Sequence, residues 1–375
     1  MHELTGPLHG HADSNLEDLV ERFSAFLLVD PDLSFQMAAY VAGRPVLDVW
    51  GGPHLGQHSL MIPFSVSKNT IGLSVALLID RGQLDLDAPV AHYWPEFAAA
   101  GKAGVTVRQM LSHQAGLPAA LPRLTWDELL DPHSGAEKLA ATRPFWHPGS
   151  AFGYHGLTIG NLASELVYRI SGATLQEFFE REIRSVVGSE FYLGLPAELE
   201  PRRVDVLEII PPLAERPNRT LTGYAPLVFG PHPGQPTDDA NDPRTWRLGH
   251  PAHAATASAR GIAQTLAALV TGLDGRAPML SADTVAVISQ QQVRGYDEVL
   301  GQNDRAHAIV FQKPSAVFNW GGARSFGHDG ARGALGCVDP DSGVAFAYTV
   351  ARGPFPGGAD PRAITAAHQI GQIAW

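Results

Sequence analysis

Residues 63–82 read PFSVSKNTIGLSVALLIDRG. Ser65 and Lys68 stand three apart at the head of this stretch. From Val66 to Arg81 it is apolar nearly all round, and Gly82 follows as a typical helix stop. An all-round apolar helix is buried on every side, so the spacing predicts a helix over Val66–Arg81 through the centre of the molecule. On a helix, residues three apart share a face, about 5–6 Å between their Cβ atoms, so Ser65 and Lys68 can meet. A desolvated lysine loses basicity and can take a serine proton. The helix N-terminus adds positive potential where negative charge would develop on oxygen. Serine is common enough that the four-residue motif weighs little alone. It gains weight because a lysine in so apolar a helix rarely goes unpaired.

Around this helix the pattern is strands at both ends and helices between. Leu16–Phe26 carries helical apolar spacing. Phe35–Val41 and Arg44–Trp50 read as a hairpin turning at Ala42-Gly43-Arg44. Helices are expected at Val105–Leu111, Leu157–Ile170, Leu175–Val187, Ala259–Leu273 and Ala282–Gln292. Gly116–Ser150 should be mostly loop with short helices, and 196–255 a proline-rich surface path. Short apolar runs at Ala306–Gln312, Ala316–Trp320, Ala334–Val338 and Val344–Ala351 read as strands, and Pro361–Ile373 as a closing helix. The expected fold is α+β. One antiparallel sheet drawn from both ends is flanked by helices, in a subdomain of about 1–95 and 256–375. A mostly helical subdomain spans about 96–255.

Composition narrows the function. The chain has 375 residues, 45% apolar and 17% charged, enough for a large core. A formal net charge of −11 argues against nucleic acid and anionic membrane surfaces as partners. The lone cysteine, Cys337, sits in an apolar run and reads as a small buried hydrophobe. No apolar run is long enough to cross a bilayer, and the first residues lack a secretion-signal pattern, so a cytoplasmic chain is expected. No spaced set of histidines and carboxylates implies a metal, and no phosphate or dinucleotide glycine pattern implies a cofactor.

Two further segments could carry chemistry. Phe152-Gly153-Tyr154-His155-Gly156 follows Trp146-His147-Pro148-Gly149-Ser150 and can present the Tyr154 phenol to a cleft, as base or proton relay beside a lysine. Trp320-Gly321-Gly322 and Phe326-Gly327-His328-Asp329-Gly330-Ala331-Arg332-Gly333 form a glycine-rich strand region that lets a ligand approach the backbone. An N–H from that edge and the Ser65 N–H could form an oxyanion hole.

Taken in order, Ser65…Lys68, Tyr154-His155-Gly156 and His328-Asp329-Gly330 resemble the signature of the serine β-lactamase/penicillin-binding-protein superfamily, in its class C-like branch. The linking segment Val105–Pro118 and Pro148-Gly149-Ser150 are similar too, and the resemblance covers about 15–373. It implies a β-lactamase/DD-peptidase-like fold, Ser65 as acyl-accepting nucleophile, and Lys68 with Tyr154 as its activating pair. It also implies Ser65 and Ala331 N–H groups as the oxyanion hole. His328, Gly330, His155 and Trp320 are the expected substrate-binding residues. Lactam-processing members carry an asparagine where Gly156 stands and a lysine where His328 stands, so the pattern looks more like the family VIII carboxylesterases. The expected partner is a small ester or amide. Carboxylic ester hydrolysis leads. An amide hydrolase of β-lactamase, D-aminopeptidase or ω-amino amide type, an acyltransferase, and a non-enzymatic binder are the alternatives.

Overall fold

The computed structural model describes residues 1–210, 221–316 and 318–373. Among them, seven strands form one sheet in the order His2–Glu3, Leu8–Ala12, Arg44–Gly51, Phe35–Val41, Val344–Val350, Leu335–Asp339, Phe326–Asp329. Every neighbouring pair is antiparallel. The two ends of the chain meet where Phe35 pairs with Val350 and Val41 with Val344. The fold is therefore α+β, with an antiparallel sheet drawn from both termini.

Side chains alternate across the sheet, and parity decides what each face carries. Val344, Phe346, Tyr348 and Val350 face one way, into a core shared with the outer helices Glu17–Val29 and Pro361–Gln372. Ala345 and Ala347 face the other way, into the larger core that includes helices Lys68–Asp80 and Ala259–Val270. That core continues through Met110, Leu139, Leu162 and Phe178 into the helices of the middle of the chain. The helix from Lys68 is buried from its first residue through Leu78, as its all-round apolar sequence requires.

Several expectations shift. The central helix begins at Lys68, preceded by a 3-10 turn at Phe64–Ser67. Leu175–Val187 is helical but contains a π-helical stretch, Glu180–Arg184. Leu8–Ala12 is a strand alternating buried and exposed residues, which its glycine and histidines obscured. The expected strand at Ala306–Gln312 is displaced. Gln302–His307 is the strand, paired with Val293–Asp297. The apolar run after it is a buried turn closed by the Ala308 N–H on Phe311 O. A short apolar run fits a buried turn as well as a buried strand, and periodicity cannot separate them. At Ala316–Trp320 no strand forms among the described residues, and Val317 lies outside them. Within the proline-rich path, Ala197–Arg202, Ala225–Phe229 and Pro243–Leu248 are short helices, and 211–220 lie outside the described residues.

Candidate active site

The 3-10 turn brings Ser65 and Lys68 together. With three residues per turn, positions i and i+3 eclipse. Lys68 Nζ stands 3.0 Å from Ser65 Oγ. Phe64, immediately before the serine, has φ +49°, a strained value for a bulky residue that turns the chain sharply into the helix. Ser65 is half-buried and Lys68 fully buried. The lysine amine also donates to Gly156 O and Ala252 O, both at 2.7 Å. Burial drives its pKa well below the usual lysine range, opposed in part by the negative charge of Asp329.

Tyr154 completes the contact from the other side. Its hydroxyl donates to Ser65 Oγ at 2.8 Å. Its main-chain N–H donates to both oxygens of Asp297 at 3.1 Å. The same carboxyl group accepts from Val299 N at 2.9 Å and Leu300 N at 2.8 Å. His113 pins the loop as well. Its carbonyl accepts from Gly153 N, and its Nδ1 accepts from His155 N. Around the phenol ring stand His307, stacked at 6.1 Å, His113 at 5.4 Å and His328 at 5.8 Å between ring centroids. Burial lowers the pKa of all three rings, so a neutral wall encloses the tyrosine. Burial likewise pushes the Tyr154 phenol upward, against the pull of its bond to Ser65. A phenolate at Tyr154 is thus disfavoured, because burial raises the phenol and the lysine beside it is itself driven toward its neutral form.

The sheet edge closes the site. His328 pairs with Gly336, on the face of the sheet that looks at the central helix. Its Nδ1 donates to Asp329 O at 2.8 Å, so Nε2 carries the lone pair, and it finds no partner among the described residues. Burial alone would raise the Asp329 carboxyl, but its hydrogen bond with a neutral His328 and the Arg305 charge hold it below the ordinary carboxylate value. Gly330 lies so close to the turn carrying Ser65 that a Cβ there would sit 2.3 Å from Pro63 O. Only glycine permits that approach. Ala331 follows it, exposed, its carbonyl accepting from Gly358 N.

Two expected substrate-binding residues lie elsewhere. Trp320 is buried in the core on the opposite face of the sheet, with Phe318, Leu335 and Phe346. The glycines beside it turn the chain over Asp339, whose carboxyl accepts from Gly322 N at 3.2 Å. His155 points inward. Its Nδ1 donates to Gly153 O at 2.6 Å and its Nε2 accepts from Leu117 N at 2.9 Å, so it braces the loop. The Gly156 N–H donates to Tyr154 O at 2.8 Å, a tight turn at His155 that sends its side chain away from Ser65. Asp297, His113, His307 and the Ala252 carbonyl had no marker in the sequence, since each joins the site through a tertiary contact. Among the described residues, no group of three or more His, Cys, Asp or Glu is arranged to hold a metal.

A sheet drawn from both termini, a buried helix headed by Ser-x-x-Lys, and a tyrosine loop and sheet edge closing on its first turn define a hydrolase of the serine β-lactamase/esterase superfamily. The comparisons agree. The Beta-lactamase family pattern matches residues 30–369, and the chain belongs to that family. It is similar to the structure of EstA from Arthrobacter nitroguajacolicus Rue61a, with 38% identity and a TM-score of 0.89 over 99% of this chain and 98% of that one. A family VIII carboxylesterase structure aligns at 28% identity and a TM-score of 0.87, over 97% of this chain and 99% of that one. Among curated relatives, "Esterase/beta-lactamase LipL" of Mycobacterium tuberculosis is 32% identical over 90% of this chain and 81% of its own length. No helix of the described residues is long and apolar enough to cross a membrane.

Proposed function

We propose that the protein hydrolyses small carboxylic esters through an acyl-enzyme on Ser65. One observation carries this reading: Ser65 Oγ lies between Lys68 Nζ at 3.0 Å and the Tyr154 hydroxyl at 2.8 Å. A neutral amine has two hydrogens and one lone pair. The two hydrogens are satisfied by Gly156 O and Ala252 O, which leaves the lone pair for the Ser65 proton. In the first step that proton passes to Lys68 as Oγ bonds to the ester carbonyl carbon. The Ser65 and Ala331 N–H groups receive the oxyanion. As the tetrahedral intermediate collapses, the C–O bond to the alcohol breaks, Tyr154 gives the leaving oxygen its proton, and Lys68 returns one to Tyr154. Water then attacks the acyl-enzyme with the roles reversed, releasing the acid and restoring the Ser65 hydroxyl.

An ester is favoured over a β-lactam by the two departures from the lactam-processing pattern. Gly156 offers no amide to an acylamino side chain, and the neutral His328 ring offers no cation to a carboxylate. Similarity to a family VIII carboxylesterase and to Esterase/beta-lactamase LipL supports an ester substrate. The test is a panel of esters, amides and β-lactams with intact-mass detection of the adduct. Wild type should acquire one acyl mass on Ser65, and Ser65→Ala should neither label nor turn over. Full turnover of a p-nitrophenyl ester by Ser65→Ala ends the reading.

A further inference from the structure

Phe229 stands where a phenylalanine has little reason to be. It ends the short helix Ala225–Phe229 and is 45% exposed, yet its ring stacks on the Tyr154 ring at 6.4 Å and 27°. A Cβ on Gly156 would lie 3.1 Å from Phe229 Cε1 and 3.1 Å from Val228 Cγ1. That is tighter than ordinary packing, so a side chain at 156 and the Phe229 ring compete for one space. The wall is held in place. The Arg123 guanidinium donates to Gly230 O and to Pro231 O, directly behind the phenylalanine. Val228 packs with Tyr154 and Val299 beneath it.

From this we infer that Phe229 is a specificity-determining residue: its exposed face forms the acyl-binding wall and selects esters with medium-length aliphatic or aryl acyl groups. The inference rests on the esterase reading above and gives it a substrate class. The reasoning is one of replacement. A chain with a polar side chain at 156 would meet the acyl group with hydrogen-bonding atoms. This chain meets it with an aromatic face one ring away from the nucleophile. An acetyl group is too short to use that face. Each methylene that reaches it strengthens transition-state binding about fourfold, the fold-change equivalent of about 0.8 kcal/mol per buried CH2.

The experiment compares kcat/KM for p-nitrophenyl acetate, butyrate, hexanoate and octanoate in wild type, Phe229→Ala and Phe229→Leu, with thermal unfolding of each protein alongside. With two or three methylenes losing contact, the octanoate-to-acetate ratio should fall about 15- to 60-fold in Phe229→Ala. Phe229→Leu, which keeps apolar bulk, should recover most of it. A ratio that does not change, or esters of all lengths falling together, overturns the inference while the esterase reading stands. A wild type that turns over no ester of any length overturns both. Because the readout is a ratio within one protein, loss of folded material cannot imitate it.

Discussion

Tyr154→Phe separates the phenol's chemistry from its packing. The substitution removes one oxygen and leaves the ring, with its stack on His307 at 6.1 Å and on Phe229 at 6.4 Å. The lost bond is the 2.8 Å contact to Ser65 Oγ. A neutral hydrogen bond contributes about 0.5–1.5 kcal/mol net, so stability should change by no more than that. Activity should change far more, and unequally. Tyr154 is assigned to protonate the leaving oxygen. A p-nitrophenolate departs without a proton, whereas a simple alkoxide cannot. General-acid assistance contributes roughly 10²–10⁴ in rate, about 3–5 kcal/mol of barrier. The full loss is therefore expected on an ethyl ester, and a loss smaller by at least about tenfold on the p-nitrophenyl ester of the same acid. Pre-steady-state kinetics on the two esters reads the acylation step directly. Equal losses on both would refute the assignment of Tyr154 as acid, and would make it an orienting group for Ser65.

Further expectations concern charge. If neutral Lys68 is the base, kcat/KM falls as pH drops through its lowered pKa, because protonation occupies the lone pair that takes the serine proton. Asp329 raises that pKa, so Asp329→Asn should move the acid limb to lower pH, and a shift to higher pH would contradict the Lys68 assignment. On the alkaline side, burial holds the Tyr154 phenol above its ordinary value of 10.0, so no loss from phenol ionisation is expected below that pH. Asp297→Asn turns an amide N–H2 toward the donors of Tyr154, Val299 or Leu300. It should cost about 2–4 kcal/mol in chemical denaturation and lower kcat more than it raises KM, with an unchanged denaturation midpoint counting against the clamp.

What the sequence made legible follows from how local each contact is. Ser65 and Lys68 could be paired on paper because three residues of 3-10 turn are enough to bring them together. Tyr154 and His328 could be placed because each stands in a short glycine-marked segment and the order of motifs ties them to Ser65. Trp320 and His155 stood in similar glycine-marked segments, but each lies outside any strand, and tertiary packing decides where its side chain goes. Trp320 packs with Phe318, Leu335 and Phe346, and His155 accepts from Leu117 N, contacts that no local pattern announces. The hydrogen-bond partners of the Lys68 amine were beyond reach for a different reason. Gly156 O and Ala252 O are main-chain carbonyls, 88 and 184 residues away, and carry no side-chain identity to notice. Asp297, 143 residues from Tyr154, marks its role only by receiving that residue's N–H. The proposed nucleophile could thus be nominated from four residues and their setting, whereas the environment of its lysine belongs to the fold. A buried lysine paired with a carboxylate would remain charged and idle beside the same serine. Here two carbonyls accept from the amine and burial lowers its pKa, neither of which the Ser-x-x-Lys spacing alone could reveal.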